Sequence, residues 1–266
     1  MFIVVGERIN SSRQVIREAV EQRDAAYIQD DVKNQIKAGA GYIDVNAGAF
    51  ADREMEVMEW LIETVQEAAT VPLCLDSPDP EVLRKSLALV NEPPMINSIT
   101  LEQDRFEAIL SFLQGTQSSV VALCMDDSGM PTSASQVIDC AGRLVEGLEK
   151  AGIKRERIFL DPLVQAISTD TNQGLKALEA VESIMRQYPG VHTNCGLSNV
   201  SFGLPERKII NRTFLGLMMG AGLDSAIIDP LDDKIMATVK ITEMLLGKDE
   251  YCMDFIEAVR AGKIVS

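Results

Sequence analysis

The stretch "PLCLDS", Pro72 to Ser77, holds the pattern on which the fold turns. Its apolar run, Pro72–Leu75, has the length and composition of a buried strand. It stops on a carboxylate and a hydroxyl, Asp76 and Ser77, and a longer amphipathic stretch follows. The same unit recurs along the chain. Strand-like runs stand at Phe2–Val5, Tyr42–Val45, Pro72–Leu75, Met95–Asn97, Val120–Met125, Ile158–Leu160, Val191–Gly196 and Ala226–Ile228. Between them the apolar spacing lengthens to a helical period, as in Ile28, Val32 and Ile36, or Met55, Met58, Ile62 and Val65. Further stripes are Val137, Ala141, Leu144 and Leu148, then Ile235, Val239, Thr242 and Leu246. "KAGAG" at 37–41 and "KAGI" at 150–153 place a glycine just past a last helical turn.

Eight strand–helix units in one chain of 266 residues predict an α/β protein, a single (β/α)8 TIM barrel, with one domain over 1–266. A doubly wound sheet is the runner-up, and it needs no eighth unit. Composition and charge narrow the function. With 25 Lys and Arg against 40 Asp and Glu, the net charge is −15, which argues against nucleic acid and anionic membrane as partners. The apolar start "MFIVV" is too short for a signal segment, and no run approaches a membrane span. The five cysteines, Cys74, Cys124, Cys140, Cys195 and Cys252, are scattered without a CxxC pair, so a reduced, cytoplasmic setting is expected. One histidine, His192, rules out the usual zinc clusters and any Ser–His or Cys–His pair that does not use it; an ordinary hydrogen-bonded role is expected there.

In a barrel, chemistry belongs where strands end and βα loops begin. Those ends are polar throughout: Glu7, Arg8 and Asn10 after strand one, Asp44 and Asn46 on strand two, Asp76 and Ser77, then Asn97 and Ser98. Asp126 and Asp127, Asp161, Ser198 with Asn199, and Asp229 complete the face. No GxxxxGK loop is present, and the carboxylates of "DPLDD" after strand eight would repel a phosphate. A hydrated divalent metal on Asp44, Asp76, Asp161 or Asp229 is one use of these groups, as in a metal-dependent barrel hydrolase or aldolase. The interspersed Asn97 and Asn199 suggest instead a planar neutral ligand with donors and acceptors on several edges. A carboxylate facing a ring N–H and an adjacent amino group is bidentate, and the 2-amino-4-oxo edge of a pterin offers that pair.

Here a resemblance becomes specific. "VVGERIN", "DVNAG", "LCLDS", "MINS", "LDP", "GLSNVSFGLPER" and "INRTF" resemble, in order, the pterin-binding methyltransferase family, from Val4 to at least Cys252. That family includes the methyltetrahydrofolate:corrinoid/iron–sulfur protein methyltransferases of acetogens, the methyltransferase components of O-demethylase systems, and the folate module of cobalamin-dependent methionine synthase. The resemblance implies a (β/α)8 barrel that moves a methyl group between N-5 of tetrahydrofolate and the cobalt of a corrinoid. It implies tetrahydrofolate or 5-methyltetrahydrofolate as substrate, a corrinoid (cobalamin) on a separate partner protein, no metal bound by this chain, and a homodimer. Asp76, Asn97 and Asp161 match the positions that hydrogen-bond the pterin, Asn199 matches the asparagine beside N-5, and Arg207 stands where a site arginine is expected. Glu7, Asn10, Asn46, Ser198 and Phe202 are candidates for the site wall. Phe202 is a departure: the acetogen enzymes carry a polar residue there, and methionine synthases share this chain's "NVSFG". The zinc-thiolate and cobalamin modules of methionine synthase are not in this chain, which implies a stand-alone methyltransferase. A non-catalytic folate-binding protein would keep the same pterin contacts without a corrinoid partner.

The implied reaction explains why an asparagine, and not a base, marks the seventh loop. Methyl transfer changes the charge on N-5, and an amide can donate to one state and accept from the other by turning. The protein's main contribution is then to align the methyl carbon between nitrogen and cobalt.

Overall fold

The structure is a computed structural model, and it describes residues 1–264. Eight parallel strands form one sheet in the order β7-β6-β5-β4-β3-β2-β1-β8. They are β1 (Ile3–Asn10), β2 (Tyr42–Asn46), β3 (Leu73–Asp76), β4 (Met95–Ile99), β5 (Ser119–Leu123), β6 (Ile158–Asp161), β7 (His192–Thr193) and β8 (Ser225–Ile228). The two ends of the sheet meet through a parallel bridge between Gly196 and Ile227, with the Ile227 amide donating to the Cys195 carbonyl at 3.0 Å. That bridge closes the barrel.

Helices cover the outside. In chain order they are α1 (Gln14–Glu21), α2 (Ala25–Ala38), α3 (Glu54–Gln66), α4 (Pro80–Leu87), α5 (Gln103–Leu113), α6 (Ala134–Lys150), α7 (Gln173–Gln187), α8 (Arg207–Ala221), α9 (Asp233–Leu245) and α10 (Met253–Arg260). The expected stripes lie on α2, α3, α6 and α9, except that Leu246 falls just past α9 and is exposed. Their buried members on α2, α3 and α6 share a cluster with the outward strand residues Ile43, Leu75, Ile96 and Ile158, and Ile235 and Val239 of α9 share another with Val4, Ala226 and Ile228. Gly39 ends α2 in the left-handed region at φ 111°, where a side chain would be strained. Gly152 does the same after α6 at φ 82°.

Strand alternation places the site. Inside the barrel, Val5, Cys74, Met95, Val121 and Phe159 form an apolar layer, with Ile3, Tyr42, Leu123 and Ile227 against it. Successive side chains on a strand alternate faces, so the next inward residue stands two positions on. From Val5 that residue is Glu7, from Tyr42 it is Asp44, and from Cys74 it is Asp76. Met95 leads to Asn97, Phe159 to Asp161 and Ile227 to Asp229. One pleat step above an apolar floor, the barrel turns polar.

Two strands differ from expectation. β1 extends through Asn10 instead of stopping at Val5, and its pairing with β2 shifts register between Gly6 and Ile9. Outward-facing Gly6 admits α2 closely: a Cβ there would stand 2.3 Å from Gln35 Oε1. β7 is only two residues long, because beyond Thr193 the chain bends to make the closing bridge. Among the described residues no helix is long and apolar enough to cross a membrane.

Candidate functional site

Asp76, Asn97 and Asp161 all come to the barrel mouth. Asn97 is 9% exposed and Asp161 7%. Asn46 is locked by its neighbours: its Oδ1 accepts from the Gly48 amide at 2.9 Å, so its amide nitrogen is aimed at Asp76 Oδ2, 2.8 Å away. Asp161 Oδ1 accepts from the Leu163 amide at 2.7 Å. Arg105, from α5, holds the loops beneath, donating to the Ser98 carbonyl at 2.7 Å, to that of Ser77 at 3.2 Å, and to that of Pro78.

Burial gives these acids unusual protonation. Desolvation pushes Asp161 up to about 7, against hydrogen bonds from the Leu163 and Gly196 amides that favour its ionised form. Asp76 rises to about 6, again through burial, with the Asn46 hydrogen bond opposing. Asp44, deeper in the barrel, is held well above the usual carboxylate range by burial and by the charge of Asp76. Its Oδ1 is buried with no hydrogen-bond partner among the described residues. Glu7 rises to about 7, through burial first and then the neighbouring Asp229. Near neutrality this mouth holds several acids poised between forms, and a ligand bringing N–H donors would draw them toward the carboxylate.

Across the mouth, the chain after β7 forms a short 3-10 turn, Leu197–Ser201. Asn199 is exposed on it, and its side chain makes no hydrogen bond among the described residues. The amide folds back over Gly196, where a Cβ would lie 3.2 Å from Asn199 Nδ2. Arg207 braces the turn: Nη2 donates to the Ser198 carbonyl at 2.7 Å and Nε to Ser201 Oγ at 3.0 Å. The guanidinium is thus engaged with the loop that carries Asn199. Ser198 follows Leu197 at the rim, and Phe202 stands 67% exposed, its carbonyl accepting from Ser168 Oγ at 2.7 Å.

Other strand-end groups have structural duties. Asn10 Oδ1 accepts from the Ser12 amide at 3.0 Å and hydroxyl at 2.6 Å, which makes it a turn former. Asp126 is tied to Ser128 and to Arg143 at 2.7 Å, and these bonds lower it to about 2. His192 stacks on Phe159 and shares a 2.7 Å hydrogen bond with Asp224 at the opposite end of the barrel. Asp229 is neutralised by Arg8 at 2.9 Å and Arg13 at 3.5 Å, while Arg8 also grips Asp31 on α2. Asp31 and Gln35 escape a reading by strand ends. Their signal is a polar i, i+4 pair beside the buried Ile28 and Val32, bonded side chain to side chain at 2.9 Å. Among the described residues, no group of three or more His, Cys, Asp or Glu side chains could hold a metal ion.

The chain is similar to known proteins. Residues 6–229 match the pterin binding enzyme family. Methylcorrinoid:tetrahydrofolate methyltransferase of Eubacterium limosum is 38% identical over 265 residues, 99% of this chain and 98% of that protein. Methionine synthase of Mycobacterium tuberculosis is 30% identical over 254 residues, 91% of this chain and 21% of that longer protein. Two solved structures have the same fold. Dihydropteroate synthase of Xanthomonas albilineans in complex with 7,8-dihydropteroate has a TM-score of 0.67 at 21% identity, covering 93% of this chain and 92% of its own. A dihydropteroate synthase of Coxiella burnetii in complex with pteroic acid also scores 0.67, at 13% identity over 91% and 94%. The sequence match begins just before the first interior acid, Glu7, and ends on the last, Asp229; the chain belongs to the pterin-binding enzyme family.

Proposed function

We propose that this protein is a methyltransferase that moves a methyl group from the cobalt of a corrinoid, carried by a separate protein, to N-5 of tetrahydrofolate. The arrangement of the mouth carries this reading: Asp76, Asn97 and Asp161 present donors and acceptors into the mouth, and an unpartnered amide, Asn199, stands on a braced turn after β7, beside Asp161 on β6 and across from Asp76 and Asn97 on β3 and β4. The E. limosum relative, whose name states this direction of transfer, supports the choice of reaction. In this reading the whole chain is one barrel domain.

The pterin ring lies with its amino and ring N–H groups on Asp161 and Asp76, which ionise on contact, and with Asn97 beside them. N-5 then sits under the Asn199 amide. Its lone pair forms a bond to the methyl carbon as the carbon–cobalt bond breaks, and both electrons of that bond remain on cobalt, taking Co(III) to Co(I). N-5 briefly bears both methyl and proton as an ammonium. Asn199 leaves the lone pair free for attack, accepts from the N-5 N–H as positive charge grows on it, and, once the proton has left, turns its amide to donate to the new lone pair, so it serves both charge states of one nitrogen. Glu7, raised to about 7 and lining the same cavity as Ser198, takes the proton that N-5 releases.

Mixing the protein with tetrahydrofolate and a methylated corrinoid protein in excess chelator tests the reading. It expects 5-methyltetrahydrofolate and Co(I) in equal amounts, at a rate the chelator does not change. Loss of activity on chelation would point to a metal-dependent barrel enzyme. Folate binding without any transfer, across a panel of corrinoid partners, would leave a binding protein.

A further inference from the structure

β1 carries one residue more than its pairing with β2 can use. The two strands pair at Val5–Tyr42 and Gly6–Ile43, and again at Ile9–Val45 and Asn10–Asn46. Between those pairs β1 advances three residues while β2 advances two, so Glu7 and Arg8 together stand opposite Asp44. A bulge of this kind changes the alternation of faces and re-aims a side chain. Ile9 shows the change, since it joins the cluster outside the barrel although it stands two places after inward-facing Glu7. The added residue, Arg8, lines the same cavity as Glu7 and Asp229.

The bulge thus sets a cation next to an acid, and the two are kept from pairing. Arg8 Nε donates to both carboxylate oxygens of Asp31 at 3.0 Å, and Nη2 donates to Asp31 Oδ2 at 2.8 Å. Nη1 donates to Asp229 Oδ2 at 2.9 Å. All three guanidinium nitrogens are engaged, and none of them on Glu7. Asp31 is itself fixed on α2: it is buried, and its Oδ1 accepts from Gln35 Nε2 at 2.9 Å. Gln35 Oε1 faces the Arg8 amide at 3.4 Å, in the space that Gly6 leaves open.

Other charges also face Glu7. They are Arg13 after β1, Asp44 on β2, Arg207 on α8 and Asp229 after β8, with Lys208 and Asp232 along the same cavity. Arg13 leans on Asp229 at 3.5 Å, and Arg207 is engaged with the Asn199 turn. Arg8 is the cation closest to Glu7 along the chain. Free to close on that carboxylate, it would hold Glu7 ionised far below neutrality. A carboxylate so stabilised is a poor acceptor for a proton near pH ~7.

We propose that Asp31 is a positioning residue for the reaction: from α2, outside the barrel, it clamps Arg8 against Asp229, keeps the cation off Glu7, and so leaves Glu7 able to take the proton from N-5. The role of Glu7 here rests on the methyl-transfer reading above.

The pH dependence of methyl transfer in wild type, Asp31→Asn and Asp31→Asn/Arg8→Met tests the clamp. Asparagine keeps the shape of the side chain and an acceptor for Gln35, but not the charge that holds the guanidinium. In Asp31→Asn the inflection near pH ~7 should move down by about one to three units, as for a carboxylate that gains an arginine. The plateau rate should fall by about three- to tenfold as the base weakens. Folate affinity, read by calorimetry, should stay at the wild-type value. The double variant removes the released cation as well, and its inflection should return to pH ~7 or above. An inflection that stays near pH ~7 in Asp31→Asn, with a lowered Tm, would make Asp31 an ordinary brace and overturn the proposal. A shift that persists without Arg8 would overturn it too. Asp31→Ser is read in the same way if the asparagine variant does not fold. Transfer by wild type without an inflection that Glu7→Gln removes would overturn the clamp and leave the reaction standing. No transfer by wild type would take the methyl-transfer reading down with it.

Discussion

Asp161→Asn isolates the cost of keeping a charge ready in the barrel mouth. Asp161 is 7% exposed, and burial raises it from the ordinary carboxylate value of 3.8 to about 7. Its folded state thus holds a proton that the unfolded chain has already released, so the stabilising protonated form is fully present below pH ~4 and lost as pH rises through ~7. The difference corresponds to up to about 4 kcal/mol at pH 8. Asparagine imitates the protonated acid, since its oxygen can still accept from the Leu163 amide, 2.7 Å from Asp161 Oδ1. The ligand-free variant should therefore be more stable than wild type at pH 8 by about 1–4 kcal/mol, and near parity, within about 0.5 kcal/mol, at pH ~4. Each kcal/mol should move Tm by about 2–4 °C in a domain of this size. Urea unfolding of both proteins at the two pH values reads the effect directly. A variant no more stable than wild type at pH 8 would refute the assignment of Asp161 as a strained, desolvated acid. The same variant should lose folate binding, because an amide cannot supply the ionised partner.

Three further outcomes follow from the same mouth. Asp76→Ala and Asn97→Ala should each weaken folate binding by about 1–3 kcal/mol with folding preserved, the usual cost of stranding buried polar partners; wild-type dissociation constants would remove them from the ligand edge. Wild-type affinity should fall by up to about tenfold per pH unit between pH ~7 and ~6, where Asp161 must shed a proton to bind, and by up to about a hundredfold per unit below that, where Asp76 must shed one too; titration calorimetry across pH 5 to 8 would show a flat profile if they bind as neutral acids. Glu7→Gln should slow transfer and remove the inflection near pH ~7 from the rate profile; a retained inflection would move the proton to another group.

Much of this was legible in sequence because the relevant residues obey strand alternation. Asp76, Asn97 and Asp161 each stand two places after a buried apolar residue of the interior layer, so reading the strands also locates the mouth. The expectation failed where long-range contacts decide. β1 continues through "GERIN" because Glu7 faces the mouth while Arg8 is gripped by Asp31 and Asp229, and no local propensity reports that. "DPLDD" looks repulsive on paper, yet Asp229 and Asp232 are both neutralised by arginines distant in sequence. Arg207 reads as a site arginine, but its hydrogen bonds to Ser198 and Ser201 make it the brace of the Asn199 turn. Asn10 shares the polar character of the true mouth residues and folds onto its own loop.

Methyl transfer at this mouth is tested most directly by single-turnover stopped-flow measurement of the corrinoid spectrum at saturating folate, comparing wild type with Asn199→Ala. The Asn199 side chain has no hydrogen bond within the described residues, so its removal should leave the melting temperature and folate affinity nearly unchanged. Wild type should convert methylcorrinoid to Co(I) in one phase, and the variant should do so roughly ten- to a thousandfold more slowly, as for the loss of one preorganised hydrogen-bonding group. A variant rate within about a factor of two of wild type would contradict the role of Asn199. No spectral change in wild type, with folate bound, would contradict methyl transfer itself.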